Sequence, residues 1–232
     1  MTGENARTLA KVFLFKDLSE EDRARVEARC KWRDFAPQEQ IIDFQDDSQD
    51  VYFITRGVAR VVNYSISGRE IAFDDLKEGS VFGELAAVDG EPRSANVVAV
   101  APTTVGLMHP MTFRSVLEEH PEIAFNLMKR LTQMVRMSVE RIMDLSTLGA
   151  NNRVYAELLR LAKPTIQDDG TAKIDPIPIH SELASRVSTT RETVARVLSD
   201  LSRKGLVKRA GNVLQLTDTN RLRDMVEQFR GD

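Results

Sequence analysis

Gly57, Gly68, Gly79 and Gly90 fall eleven residues apart, with short apolar runs between and around them. The runs cover residues 41–42, 51–54, 58–62, 71–73, 81–82, 97–100 and 104–107. Runs this short, rich in β-branched and aromatic side chains and separated by evenly spaced turn residues, predict an antiparallel barrel or sandwich over residues 38–108. Ser67-Gly68 suits a hairpin tip. Before it, residues 7–34 read as short helices, with Ser19 as an N-cap ahead of Glu20, Glu21 and Asp22, acids that offset the positive helix end. Trp32 and Phe35 mark the entry to the β core.

After Met111 the period becomes helical. Thr112 suits the cap of a short helix, and Pro121 stands where a first-turn proline is tolerated. Ala124, Met128, Leu131, Val135, Ser138, Ile142 and Leu145 then step alternately by four and three, the heptad spacing of a two-stranded coiled coil. Ile123, Leu127, Met134 and Met137 form a neighbouring stripe expected to pack on the barrel. Gly149-Ala150-Asn151-Asn152 reads as a hinge before a helix over residues 153–162. Residues 164–178 read as a loop with a short strand.

Residues 179–198 read as helix, tight turn, helix. Leu183, Ala184 and Val187 give the first helix a buried face, and Val194, Val197, Leu198 and Leu201 give the second one. Ser188, Thr189 and Thr190 suit the cap of the second helix and offer hydroxyls and N–H groups to a phosphate. Arg191, Glu192 and Arg196 project from its outer face. A Glu192–Arg196 surface pair at i, i+4 is the plain reading. The functional one is base readout, since arginine forks onto guanine O6/N7 and glutamate accepts from cytosine N4. Lys208-Arg209-Ala210-Gly211-Asn212, between β-like runs, suits a wing that touches the backbone.

Phe82-Gly83-Glu84-Leu85 and, further on, Arg93-Ser94-Ala95 form a second constellation. A glycine lets backbone N–H groups approach an anion. A lone arginine in an apolar setting needs a planar or multiply oxygenated partner. A carboxylate beside them suits ribose hydroxyls. Together they describe a pocket for a phosphate and a sugar. No P-loop and no G-x-G-x-x-G fingerprint is present, so the chemistry is not that of an ATPase or a Rossmann enzyme.

FGELAAVDGEPRSA resembles the phosphate-binding cassette of cyclic-nucleotide-binding domains, and Arg-Glu-Thr-Val-Ala-Arg at 191–196 resembles a recognition helix reading R-E-T-V-x-R. Most of the chain thus resembles the cyclic AMP receptor protein/FNR superfamily of bacterial transcription factors. The resemblance implies an α+β protein: a double-stranded β-helix (jelly-roll) barrel with N-terminal helices over residues 1–110, a linker and long central dimerisation helix over 111–148, and a winged helix-turn-helix over 149–232. It further implies that Arg93 grips a cyclic phosphate with Ser94 and nearby amides, that Gly83 permits the approach, and that Glu84 accepts from the ribose 2′-OH, with Leu85, Val61 and Phe73 as apolar walls.

The two hydroxyl positions that hold adenine in this branch fall at Ser138 and Val139, and the arginine that supports the cassette glutamate falls at Met134. The second and third are departures. Cyclic AMP is the first expectation, cyclic GMP the second and a cyclic dinucleotide a distant third. The implied dimer interface comprises Met128, Leu131, Val135, Ser138, Ile142 and Leu145. The implied partners are a second copy, double-stranded DNA with TGTGA-like half-sites, and RNA polymerase, which relatives touch near residues 167–171.

Composition agrees where it speaks. The net charge is −3, yet residues 180–209 carry seven bases against three acids, a local footprint for DNA on a mildly acidic chain. The single cysteine, Cys30, excludes an internal disulfide framework, suits a reducing cytoplasm and cannot hold an iron–sulfur cluster. His109, His120 and His180 lack metal-ligand spacing and suit surface or cap roles. The polar start, residues 1–7, lacks a signal-peptide core, and no apolar run approaches the ~18 residues of a membrane span. No catalytic triad, metal cluster or carboxylate pair favours an enzyme.

Overall fold

The computed structural model describes residues 7–68 and 70–228; most of the polar start read above, residues 1–6, lies outside them. The chain divides into two compact units, Met1–Met134 and Val135–Asp232.

The first unit holds strands β1 (Lys31–Phe35), β2 (Gln40–Ile42), β3 (Val51–Arg56), β4 (Val58–Tyr64), β5 (Glu70–Lys77), β6 (Val81–Phe82), β7 (Asn96–Ala99) and β8 (Thr103–Met108). They form two four-stranded sheets, ordered β1-β8-β3-β6 and β2-β7-β4-β5, paired antiparallel throughout. This is the jelly-roll architecture expected. Strand β3 shows how the period of two builds two cores. Tyr52 and Ile54 join Phe35, Phe82 and Val105 in one buried cluster. Val51 and Phe53 turn the other way, onto Phe15, Phe113 and Ile123 of the helical layer, where Phe15 meets Phe53 edge-on at 5.0 Å. Gly57, Gly68, Gly79 and Gly90 all have positive φ, as evenly spaced turn residues should.

Helices α1 (Glu20–Glu27), α2 (Glu84–Asp89) and α3 (Pro110–Glu119) belong to this unit, and α4 (Pro121–Thr147) starts in it. Ser19 caps α1 by accepting from the Asp22 amide at 3.1 Å. Two local expectations need correction. Residues 31–34 are not helical but lie in edge strand β1, where Thr104 donates to Asp34 at 2.6 Å. The cap of α3 is His109, whose Nδ1 accepts from the Met111 amide, with Pro110 opening the helix; Thr112 is already inside. Burial pushes the Cys30 thiol up to about 12, which keeps it protonated and unreactive near neutral pH.

The second unit contains the rest of α4, then α5 (Ala150–Ala162), β9 (Ala172–Ile174), α6 (His180–Arg186), α7 (Arg191–Arg203), β10 (Val207–Ala210), β11 (Val213–Leu216) and α8 (Thr219–Glu227). The expected hinge residues Ala150, Asn151 and Asn152 are the first turn of α5, which begins three residues earlier than the sequence suggested. Leu158, Leu183, Val194, Leu201, Leu216 and Leu222 are each at most 1% exposed, and burying each such side chain contributes roughly 1.5–3 kcal/mol. Strands β10 and β11 pair with each other through the Gly211-Asn212 turn, and β11 pairs with β9, giving the expected wing.

On α4, Ile123 and Leu127 pack into the helical layer of the first unit as expected, and Leu131 joins them in part. Met128, Val135, Ile142 and Leu145 remain exposed. Phe125 and Val139, both over half exposed, line up with Met128, Val135 and Ile142 at steps of three, seven, four and three. The exposed apolar stripe therefore runs through Val139 rather than Leu131, with Ser138 beside it. Met137 is also exposed, contrary to the packing stripe expected of it.

Candidate functional site

The first site is organised around Arg93. Gly83, at φ 77°, ends the short β6 and caps α2, so the chain turns sharply at the rim of a cavity. Arg93 returns along that rim before β7 and is 3% exposed. Its Nε donates to Ser48 Oγ at 3.1 Å, Nη1 to the Gly83 carbonyl at 2.9 Å and Nη2 to the Asp50 carbonyl at 2.8 Å. Its own amide donates to the Asp46 carbonyl at 3.1 Å, and its carbonyl accepts from the Gln45 amide at 3.0 Å. The loop between β2 and β3 thus holds the arginine at both ends. All three side-chain acceptors are neutral. Burial lowers the affinity of this guanidinium for its proton, while Tyr52, Asp50, Asp46 and Glu84 pull the other way.

The cavity measures about 130 Å³, below the ~300–1,000 Å³ typical of small-molecule sites. Val61, Phe73, Gly83, Glu84, Leu85, Arg93 and Ser94 all line it, so the seven cassette and wall residues singled out from sequence converge on one space. Glu84 is 4% exposed. Burial pushes its carboxyl above the usual range, opposed by its own backbone amide and then by the charges of Arg130 and Arg93.

Arg130 is the residue that sequence reasoning missed. It reaches from α4 into the cavity wall and lies 3.3 Å from Asp74 Oδ2 on β5. Met134, where an arginine was expected, also lines the cavity. Arg130 lies one turn before it, on the same helix face, and supplies positive charge toward Glu84. The i, i+4 relation to position 134 was the available signal. Ser138 and Val139 lie further along α4, in the second unit, and both are exposed.

The second site is the helix-turn-helix of the second unit. Helices α6 and α7 meet through a turn in which Ser188 adopts φ 51° and the Thr189 amide donates to the Ala184 carbonyl at 3.0 Å. Thr190 is the cap of α7, accepting from the Thr193 amide. Val194, Val197 and Leu201 are buried on one face of α7, while Arg191, Glu192 and Arg196 are exposed on the other. Among the described residues these three form no ion pair with one another, so the surface-pair alternative is not realised. Lys208 and Arg209 are exposed on β10.

Residues 32–120 match the family of cyclic nucleotide-binding domains, and residues 152–225 match the Crp-like helix-turn-helix domain. The chain is 30% identical over 190 residues to a cyclic AMP receptor protein of Thermus thermophilus, covering 82% of this chain and 85% of that one. It is 24% identical over 215 residues to a CRP-like cAMP-activated global transcriptional regulator of Mycobacterium tuberculosis, covering 92% and 96% of the two chains. In fold it is similar to a CooA mutant from Carboxydothermus hydrogenoformans, with a TM-score of 0.81 and 20% identity over 96% of this chain and 99% of that one. The two domain matches, with 30% identity to a cyclic AMP receptor protein over most of both chains, place the chain in the CRP/FNR family of cyclic-nucleotide-binding transcription regulators.

Proposed function

We propose that the effector is cyclic AMP, bound in the Arg93 cavity, and that it sets the operator affinity of a homodimer. One observation carries this reading: a buried guanidinium that lines a cavity and is satisfied only by neutral acceptors. Of its five N–H donors, three are used, and the remaining two suit the oxygens of a cyclic phosphate. Ser94 and the first amides of α2 complete the phosphate shell. Glu84 accepts from the ribose 2′-OH, with Leu85, Val61 and Phe73 against the sugar and base. Ser138 offers a hydroxyl to the base, and Val139 an apolar contact.

Met128, Val135, Ile142 and Leu145, with Ser138 and part of Leu131, pair two copies along α4. Arg191 and Arg196 each read a guanine and Glu192 a cytosine in a TGTGA-like half-site, while Thr189, Thr190 and Lys208 hold phosphates. The functional divisions follow as residues 1–110 for ligand, 111–148 for pairing and 149–232 for DNA. The regulator acts in the cytoplasm on RNA polymerase and performs no catalysis. Among the described residues no helix is long and apolar enough to cross a membrane.

Calorimetric titration with cyclic AMP and with cyclic GMP, each followed by a gel-shift assay on a TGTGA palindrome, tests the reading. Tighter binding of cyclic GMP, with the larger gain in DNA affinity, would transfer the effector role to it. Binding of neither would remove the ligand assignment.

A further inference from the structure

Arg153, in the first turn of α5, grips three backbone carbonyls at once. Its Nη1 donates to Leu148 at 2.9 Å, its Nε to Val187 at 2.8 Å and its Nη2 to Ser188 at 3.1 Å. Leu148 directly follows α4, whereas Val187 and Ser188 form the turn that presents α7. Ser188 has φ 51°, a conformation that a non-glycine residue keeps only when its surroundings enforce it. A second tie runs beside the first: Arg141 of α4 donates to the Arg186 carbonyl at 2.5 Å. A third is ionic and largely buried. Asp144 of α4 and Glu157 of α5 are 5% and 4% exposed. Arg160 binds Asp144 at 2.7 Å and also Glu157, while Arg186 of α6 lies 3.6 Å from Glu157.

All three ties bridge the chain across Gly149. The end of α4, the start of α5 and the turn of the helix-turn-helix are therefore one packed block. We infer that Arg153 is a positioning residue, which fixes the turn presenting the recognition helix α7 on the end of α4, so that the chain does not bend at Gly149. A signal arriving along α4 then reaches α7 through a rigid coupling. Lysine cannot replace this arginine, because a point charge on a single nitrogen does not match three carbonyls arranged around a planar fork.

The test is hydrogen exchange of the full-length protein, resolved on peptides covering 145–152 and 184–190, for the wild type, Arg153→Gln and Arg153→Lys. Operator affinity is measured with and without saturating cyclic AMP. Both substitutions are expected to speed exchange in the two segments together. They should also change the ligand-induced ratio of operator affinities by about ten-fold, while affinity for the nucleotide stays at the wild-type value. If Arg153→Gln proves too unstable to study, Arg141→Gln removes a neighbouring tie and should loosen the same two segments. Unaltered exchange at 184–190 in a folded variant, or full recovery with lysine, overturns the proposal. The affinity arm rests on the ligand reading above and the exchange arm does not. Wild-type protein that ignores cyclic AMP would therefore refute that reading, while the exchange data still decide the role of Arg153.

Discussion

Arg93 Nη1 donates to the Gly83 carbonyl at 2.9 Å, and a Cβ added to Gly83 would stand 2.7 Å from that same nitrogen and 2.8 Å from the Asp50 carbonyl. The glycine thus supplies a positive φ and the space in which the guanidinium sits. Gly83→Ala should cost ~1–3 kcal/mol of stability, read by thermal melting. It should also weaken cyclic-nucleotide binding by about ten-fold or more through the displaced arginine. An alanine variant with wild-type affinity would show that the position of the guanidinium is immaterial.

Glu84 gives a pH dependence with a defined sign. Burial raises its folded carboxyl above the ordinary glutamate range, so the folded state binds this proton more tightly than the unfolded chain. The stability it contributes is complete below the unfolded value and is lost as pH rises through the raised one. Near neutral pH, in the absence of nucleotide, Glu84→Gln should therefore melt above the wild type. The gap should close as pH falls through the carboxylate range. The same variant should bind nucleotide more weakly, because an acceptor for the ribose hydroxyl is weakened. A melting difference independent of pH would contradict this account.

Arg130 opposes the upward shift of Glu84, and its removal should act through that carboxyl. Arg130→Gln should raise the Glu84 titration further, so that nucleotide affinity starts to fall at a higher pH than in the wild type. Calorimetric titrations across a pH series provide the comparison. Superimposable affinity profiles would confine Arg130 to its ion pair with Asp74.

On the DNA side, the exposed Arg191 and the wing residue Lys208 should separate by kind of contact. Arg191→Ala should cost ~1–3 kcal/mol on the preferred operator and relax selectivity at one base pair. Lys208→Ala should weaken all sequences alike and reduce the salt slope by about one. Quantitative shift assays on single-base operator variants at several salt concentrations distinguish them. A uniform loss for Arg191→Ala would reduce it to a phosphate contact.

Much of this was legible because it depends on local chemistry. The turns at Gly57, Gly68, Gly79 and Gly90 need positive φ, and the cassette keeps Gly83, Glu84, Arg93 and Ser94 within one short segment. The faces of α6 and α7 follow from the helical period. What escaped depends on distant partners. Lys31–Phe35 has a single well-buried side chain, Phe35, so an edge strand carrying three charges resembles a helix surface. Arg130 gains its role from Asp74 and Glu84, on other elements, and Arg153 from carbonyls that only folding brings together. Only the i, i+4 relation to Met134 marks Arg130, and no periodicity marks Arg153. The start of α5 was set three residues late because glycine and asparagines signal a break locally, whereas the ties across Gly149 are tertiary.

The most direct test of the central claim is isothermal titration of the full-length protein and of Arg93→Ala with cyclic AMP, paired with operator affinity at zero and saturating ligand. The account predicts measurable binding and a ligand-dependent change in operator affinity for the wild type. In the alanine variant binding should fall by about 100-fold or more, since each charge-assisted hydrogen bond to the phosphate contributes ~1.5–3 kcal/mol, and the DNA response should disappear. Equal nucleotide affinity in the two proteins, or a wild-type operator affinity indifferent to the nucleotide, would contradict it.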